Sequence, residues 1–168
     1  MNKEVSIKDM SVSALMAHIG SERIAPGAGA AGAVALSLAA ACAAKAIAIT
    51  MKHRGLNSGL KTAFDQATCL AELALLDADR DARAFGDYIR AKSSTAAARL
   101  VAQSEHVARL IDTLQGLIHE VEEAVDPRMQ GDLLAARALL AAARSIQESN
   151  ETEALQAGDH GPSNDAPS

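Results

Sequence analysis

The sequence predicts an all-α protein: an antiparallel bundle of about four long helices behind a short N-terminal one. Three observations carry this. Alanine, the strongest helix former, supplies 38 of the 168 residues. Leu, Ile and Val recur at three- and four-residue spacing over long stretches, broken only by short Gly, Asn, Ser and Pro clusters. Aromatic side chains are confined to Phe64, Phe85 and Tyr88, with no Trp. A core of this kind gains stability from close helix approach and from branched aliphatics, and association of two bundles is a natural supplement.

Each element has a sequence signature. Val12, Leu15, Met16 and Ile19 form one stripe of a short helix, with Ser11 as its N-cap and Gly20 at its end. Pro26 suits a first helical turn, and the alanine-rich run then reads as one helix to about His53. Gly55, Asn57, Ser58 and Gly59 mark the first clear break. A second long helix follows from Leu60 through Phe64, Leu70 and Leu73 to Ile89, with a turn at Lys92-Ser93-Ser94-Thr95. The third covers about Ala96 to Val125 and stops at Asp126-Pro127. The last runs from Leu133 to about Asn150. Residues 1–150 are thus expected to form a single helical domain. Residues 151–168, polar and rich in turn formers, are expected to be a disordered tail.

The composition also narrows function. A formal charge of −5, without a basic stripe interleaved with aromatics, argues against nucleic acid as a partner. Cys42 and Cys69 match no metal spacing and read as a pair of buried thiols in a cytoplasmic protein. The histidines show no ligand spacing, so no metal is expected. The N-terminus has no apolar signal segment.

The stretch APGAGAAGAVALSLAAACAAKAIAIT, Ala25 to Thr50, is long enough to cross a membrane. Its residues are small, it has no aromatic belt, and Lys45 sits well inside it. A buried central helix that lets its neighbours come close is the expectation, and no membrane association is expected. Lys45 must snorkel or find a carboxylate. Pro26, Gly27 and Gly29 lie at the helix N-terminus, where free N–H groups favour an anion. At the other end, Lys52, His53 and Arg54 read equally well as a clamp for an anionic ligand and as cations answering the helix dipole.

Taken in order, these motifs resemble the cyclodeaminase/cyclohydrolase family, which comprises formiminotetrahydrofolate cyclodeaminases and methenyltetrahydrofolate cyclohydrolases. Its members carry PGGGS or PGGGG, an Ala/Gly-rich helix ending in Leu-Thr, a basic turn, and a helix with Asp-x-x-Ala-Phe. Here Pro26, Gly27 and Gly29 match, with Ala28 and Ala30 as replacements. Ile49-Thr50, the basic Lys52-His53-Arg54, and Asp81, Ala84 and Phe85 follow. The family's late Ser-Asp and the Asn eighteen residues on correspond to Gly131-Asp132 and Asn150.

The resemblance implies a homodimer with sites at or near the subunit interface. It also implies a tetrahydrofolate derivative as substrate, with no separate cofactor. It nominates Pro26, Gly27, Gly29, Thr50, Lys52, His53, Arg54, Phe85, Asp132 and Asn150 for substrate binding. The family reactions pass through a carbon flanked by two nitrogens and need proton transfer beside a cation. Asp81 is the first candidate for that carboxylate. Asp77, one turn earlier, could pair with it as an acid/base couple, while Asp79 points elsewhere. Spacing alone leaves LLDADRDARAF open to a second reading, a solvated face of interleaved charges. A helical dimer that keeps the fold without the chemistry, as a binding or accessory protein, is the alternative function.

Overall fold

The computed structural model describes residues 6–159. Five helices follow in order: α1 Val12–Ile19, α2 Ala28–Arg54, α3 Ser58–Ala91, α4 Ser94–Val121 and α5 Gln130–Asp159. Short 3-10 turns sit at Ile7–Asp9 and Pro127–Met129, and the described residues contain no strand.

The helix starts have local causes. The Ser11 hydroxyl accepts the Ala14 N–H at 3.2 Å, and Asn57 Oδ1 accepts those of Gly59 and Leu60 at 2.8 and 3.2 Å. The Ser93 hydroxyl accepts the Ala96 N–H at 3.3 Å. Lys92, at φ 44, makes the sharp α3–α4 turn in the left-handed region. Two boundaries differ from the sequence reading. α4 ends at Val121 rather than Val125, because residues 122–126 form an irregular link. α5 starts at Gln130 and continues to Asp159, past the expected end at Asn150. The run Glu151-Thr152-Glu153-Ala154-Leu155-Gln156-Ala157 has no helix breaker, which agrees with that continuation. The rest of the expected tail, residues 160–168, lies outside the described residues.

α2 packs on α3 and α5, and α4 closes the bundle against the same two helices. The inward face of α2 is built from fully buried Ala39, Ala40, Ala43 and Ala46, with Leu36 and Ile47. Ile111 and Leu114 of α4 and Leu133 of α5 meet them in one core cluster. Small residues let the backbones approach: a Cβ on Gly32 would stand 3.0 Å from Cγ2 of Ile146 on α5. Ser37 adds a brace by donating to the Ala71 carbonyl at 2.8 Å. The long apolar helix passes the length and hydropathy test for a membrane span, yet half of the relevant window is buried inside the bundle. Its role in this fold is that of the central core helix.

Some apolar surface stays uncovered. Leu38 is 52% exposed on the outward face of α2, beside exposed Ala41 and Lys45. α1 has no buried residue, and Val12 and Met16 face solvent.

Candidate active site

The antiparallel order brings four segments to one end of the bundle. These are the start of α2, the later part of α3, the early part of α4 and the late part of α5. Gly29 meets Asp81 here. The Cγ, Oδ1 and Oδ2 atoms of Asp81 all lie within 3.0 Å of where a Gly29 Cβ would stand. The glycine therefore makes room for a carboxyl group, and any side chain there would push that group away.

The Asp81 carboxyl also accepts a hydrogen bond from the backbone N–H of Ala30. It thus occupies the N-terminus of α2, where Gly27 offers no side-chain cap. The anion favoured by this helix end is, in this conformation, the protein's own Asp81. Three influences compete for its proton. Burial disfavours the charged form most strongly, the Ala30 N–H opposes it, and the Asp77 charge adds to the burial effect. Burial wins, and the group is pushed up to about 6.

Asp77, one turn earlier on the same face, is fully buried. Arg80 Nη1 donates to its Oδ1 at 2.8 Å, and Nε2 of His106, on α4, lies 3.2 Å from its Oδ2. Asp79 faces away: the Ser6 hydroxyl and the Ile7 N–H both donate to it, tying the N-terminal 3-10 turn to α3. Three aspartates spaced two residues apart thus do three different things. At the same end, the Gln147 side chain of α5 donates to the buried Ser104 carbonyl and hydroxyl of α4. Phe85, one turn past Asp81, is partly buried and packs on neither core cluster. Asn150, one turn past Ile146, lies at this end too. Pro26, preceded by a cis peptide bond, and Gly27 lead into it.

The remaining expected site residues sit elsewhere. From Gly29 to Lys52 is about 35 Å along α2, at 1.5 Å per residue. Thr50 is fully buried, donates to the Ala46 carbonyl at 2.7 Å and accepts the Asp126 N–H at 2.9 Å. His53 Nδ1 stands 3.2 Å from Asp126 Oδ2, and Arg54 donates to the Ala124 carbonyl at 3.3 Å. Arg128 grips the Asp126 carboxylate through Nε and Nη2 at 3.1 and 2.7 Å, which holds that carboxyl well below the usual carboxylate range. Thr50, His53 and Arg54 therefore fasten the α4–α5 link. Lys52 is exposed and forms no ion pair with a described residue. Lys45, 62% exposed, finds its carboxylate in Asp132 at 2.9 Å, joining α2 to α5.

No group of three His, Cys, Asp or Glu side chains among the described residues is placed to share a metal ion. A groove of about 470 Å³ between α4 and α5 is lined by His119, Arg137 and Arg144, but Glu122 and Asp112 already pair with its arginines. It contains none of the expected site residues.

Sequence reasoning missed His106, Arg80 and Asp126 as partners of these groups. The sequence carried no signal for His106, because a contact between α3 and α4 has no fixed spacing.

Two comparisons with known proteins bear on this arrangement. The family profile described as formiminotransferase-cyclodeaminase matches residues 11–152. A solved structure of a formiminotetrahydrofolate cyclodeaminase from Thermotoga maritima superposes with a TM-score of 0.80 at 21% identity, covering 89% of this chain and 80% of that one. At that identity the likeness speaks for the fold. No curated protein matches the chain significantly.

Proposed function

Because the chain belongs to the formiminotransferase-cyclodeaminase family, we propose that it acts on a folate one-carbon adduct, methenyl- or formiminotetrahydrofolate, or a related cyclic amidine, by acid/base catalysis at Asp81. One observation carries the reading: a partly buried carboxyl group, seated where Gly29 lacks a side chain, that burial pushes up to about 6. A general acid or base works best when it titrates near the working pH.

The chemistry follows from the group's two forms. Neutral Asp81 can give a proton to a departing nitrogen, as ammonia leaves a formimino carbon or a bridge nitrogen leaves a hydrated methenyl carbon. Charged Asp81 can face the amidinium cation that links two nitrogens. Phe85 and Asn150, at the same end, are the binding residues this reading keeps closest to the reacting carbon. Lys52 belongs to the far end of α2, so one chain alone does not bring it to the same small molecule.

A homodimer resolves that separation. The uncovered apolar face of α2 around Leu38 is the surface a second copy would bury. Antiparallel pairing of two such helices would bring the partner's basic end toward the Gly29 end of this chain. Sedimentation of the purified protein at micromolar concentration should show a dimer; a monodisperse monomer would remove this part of the reading.

Turnover of methenyl- and formiminotetrahydrofolate by purified protein is the decisive measurement. The wild type should convert one of them, and Asp81→Asn should do so at least about 10²-fold more slowly. A protein that binds a folate without converting it, with Asp81→Asn binding equally well, would favour the accessory role instead.

A further inference from the structure

We propose that His106 is a second proton-transfer group of this site, its tautomer fixed by Asp77, with Nε2–H turned to the Asp77 carboxylate and a bare Nδ1 turned to the substrate. The proposal rests on the folate reading above and adds the base that the acid Asp81 requires.

The argument begins with unpaired atoms. Among the described residues, three buried side-chain polar atoms lack a hydrogen-bond partner: Asp77 Oδ2, His106 Nε2 and Gln103 Nε2. Asp77 of α3 and His106 of α4 face each other, and Gln103 is one turn before His106 on α4. Buried polar groups are nearly always paired, so a cluster of orphans marks a place where a ligand or a small rearrangement supplies partners. Asp77 Oδ2 and His106 Nε2 are 3.2 Å apart, short of good alignment. A slight rotation of the imidazole pairs both, and catalytic hydrogen bonds are often loose before substrate binds.

The direction of that bond follows from the rest of the carboxylate. Asp77 is 0% exposed and its Oδ1 already accepts from Arg80. A carboxylate ion-paired with a guanidinium offers acceptors only. Nε2 must therefore carry the hydrogen, which leaves Nδ1 as the basic nitrogen of the neutral ring. The His106 side chain is 35% exposed, and Nδ1 forms no hydrogen bond to a described residue. A histidine backed by a buried carboxylate, with its second nitrogen open, is the base-and-orienter arrangement of acyl-transfer enzymes. Asp77 is the positioning residue here, and one helical turn separates it from Asp81.

The proton balance is complete. In cyclodeamination the attacking nitrogen forms a bond to the formimino carbon and gives its proton to His106 Nδ1. The imidazolium returns that proton to the formimino nitrogen. Asp81 supplies the second proton, the old carbon–nitrogen bond breaks, and ammonia leaves. The cyclic amidinium product then faces the Asp81 carboxylate.

Two measurements test this. Nitrogen-15 shifts of the His106 ring in the wild type, taken where the ring is neutral, should show the Nε2–H tautomer, and Asp77→Asn should mix the two tautomers. Steady-state kinetics of His106→Asn should show a roughly 10²-fold loss of kcat. KM should stay within a few-fold, and the acid limb of the pH profile should disappear while the limb set by Asp81 remains. The charged groups that contacts tie to this cluster are Asp77, Arg80 and Asp81 of α3 and His106 of α4, while the neighbouring Asp79 is held by Ser6 and Ile7, Glu105 pairs with Arg109 and Asp87 with Arg90. The nearby start of α2 brings only backbone N–H groups, and Glu151 of α5 makes no ion pair with a described residue. An Nδ1–H tautomer in the wild type would overturn the proposal. So would wild-type kcat and an intact acid limb in His106→Asn. If the wild type converts neither folate, the functional reading fails, and the tautomer alone still decides whether Asp77 orients His106.

Discussion

The two ends of α2 hold similar residue types in opposite electrostatic states. At its C-terminal end the buried Asp126 is fully answered: it is gripped by Arg128, faced by His53, and carries the N–H that Thr50 accepts. The result is a carboxyl held far below its ordinary range. At the N-terminal end, burial and a neighbouring Asp77 push Asp81 up instead, and three buried polar atoms lack partners. A satisfied network stabilises a fold. An unsatisfied one costs stability and leaves groups free to exchange protons with a ligand, which is the usual compromise at working sites. Under the proposed function, the contrast gives structure to one end and chemistry to the other.

The largest expected effect sharpens this contrast at Asp81. Asp81→Asn should lose about 10²-fold or more in turnover, with kcat and kcat/KM falling together. The same change should stabilise the fold. A carboxyl raised from 3.8 to about 6 binds its proton more tightly folded than unfolded. Its penalty is absent below its unfolded pKa, grows as pH rises to about 6, and is complete above that. Removing the charge should therefore raise stability at pH 8 by about 1–3 kcal/mol, with less gain at pH 4. Thermal melts of both proteins across that range would show it; a gain independent of pH would mean that Asp81 carries no buried charge.

Gly29→Ala comes next. Its Cβ would occupy the place of the Asp81 carboxyl, so turnover should fall even though no reactive group is removed. Overpacking should cost about 1–3 kcal/mol, read by denaturant unfolding. Gly131→Ala, where a Cβ meets open space, should do neither.

The C-terminal end should break differently. Thr50→Val leaves the buried Asp126 N–H without its acceptor and should cost about 1–2 kcal/mol of stability with kcat unchanged. Lowering the pH should undo the same network. A depressed Asp126 contributes stability that is fully present above the ordinary carboxylate range and is lost progressively as pH falls below that range toward its lowered folded value. A drop in kcat comparable to that of Asp81→Asn would erase the division between the ends.

Lys52→Ala is the smallest of these changes. It should raise KM with little effect on kcat or melting temperature if the lysine reaches an anionic group of the substrate across a dimer. An unchanged KM would return Lys52 to its other reading, a cation answering the end of a helix.

Much of the fold was legible in the sequence, and so was the placement of some residues of the candidate site. Ser11 capping Val12–Ile19, the Gly55–Asn57 break and the Asp126-Pro127 stop are local rules, obeyed by a few residues within one turn of each other. Alanine at most of the inward positions of α2 foretold close packing, because only small side chains let backbones approach. The i,i+4 spacing put Asp77 and Asp81 on one face, and Gly27 and Gly29 at a helix start. What no local rule contains is which helix lies beside which face. The antiparallel order of α2 to α5 alone turned the Gly29 vacancy toward Asp81, set His106 against Asp77, spent Thr50 and His53 on Asp126, and gave Lys45 to Asp132. Proton affinity depends on such neighbours, since burial and nearby charge act through space rather than along the chain. The sequence by itself determined the helices and nominated the carboxylates; tertiary packing decided which of them is raised, which is oriented and which is spent on structure.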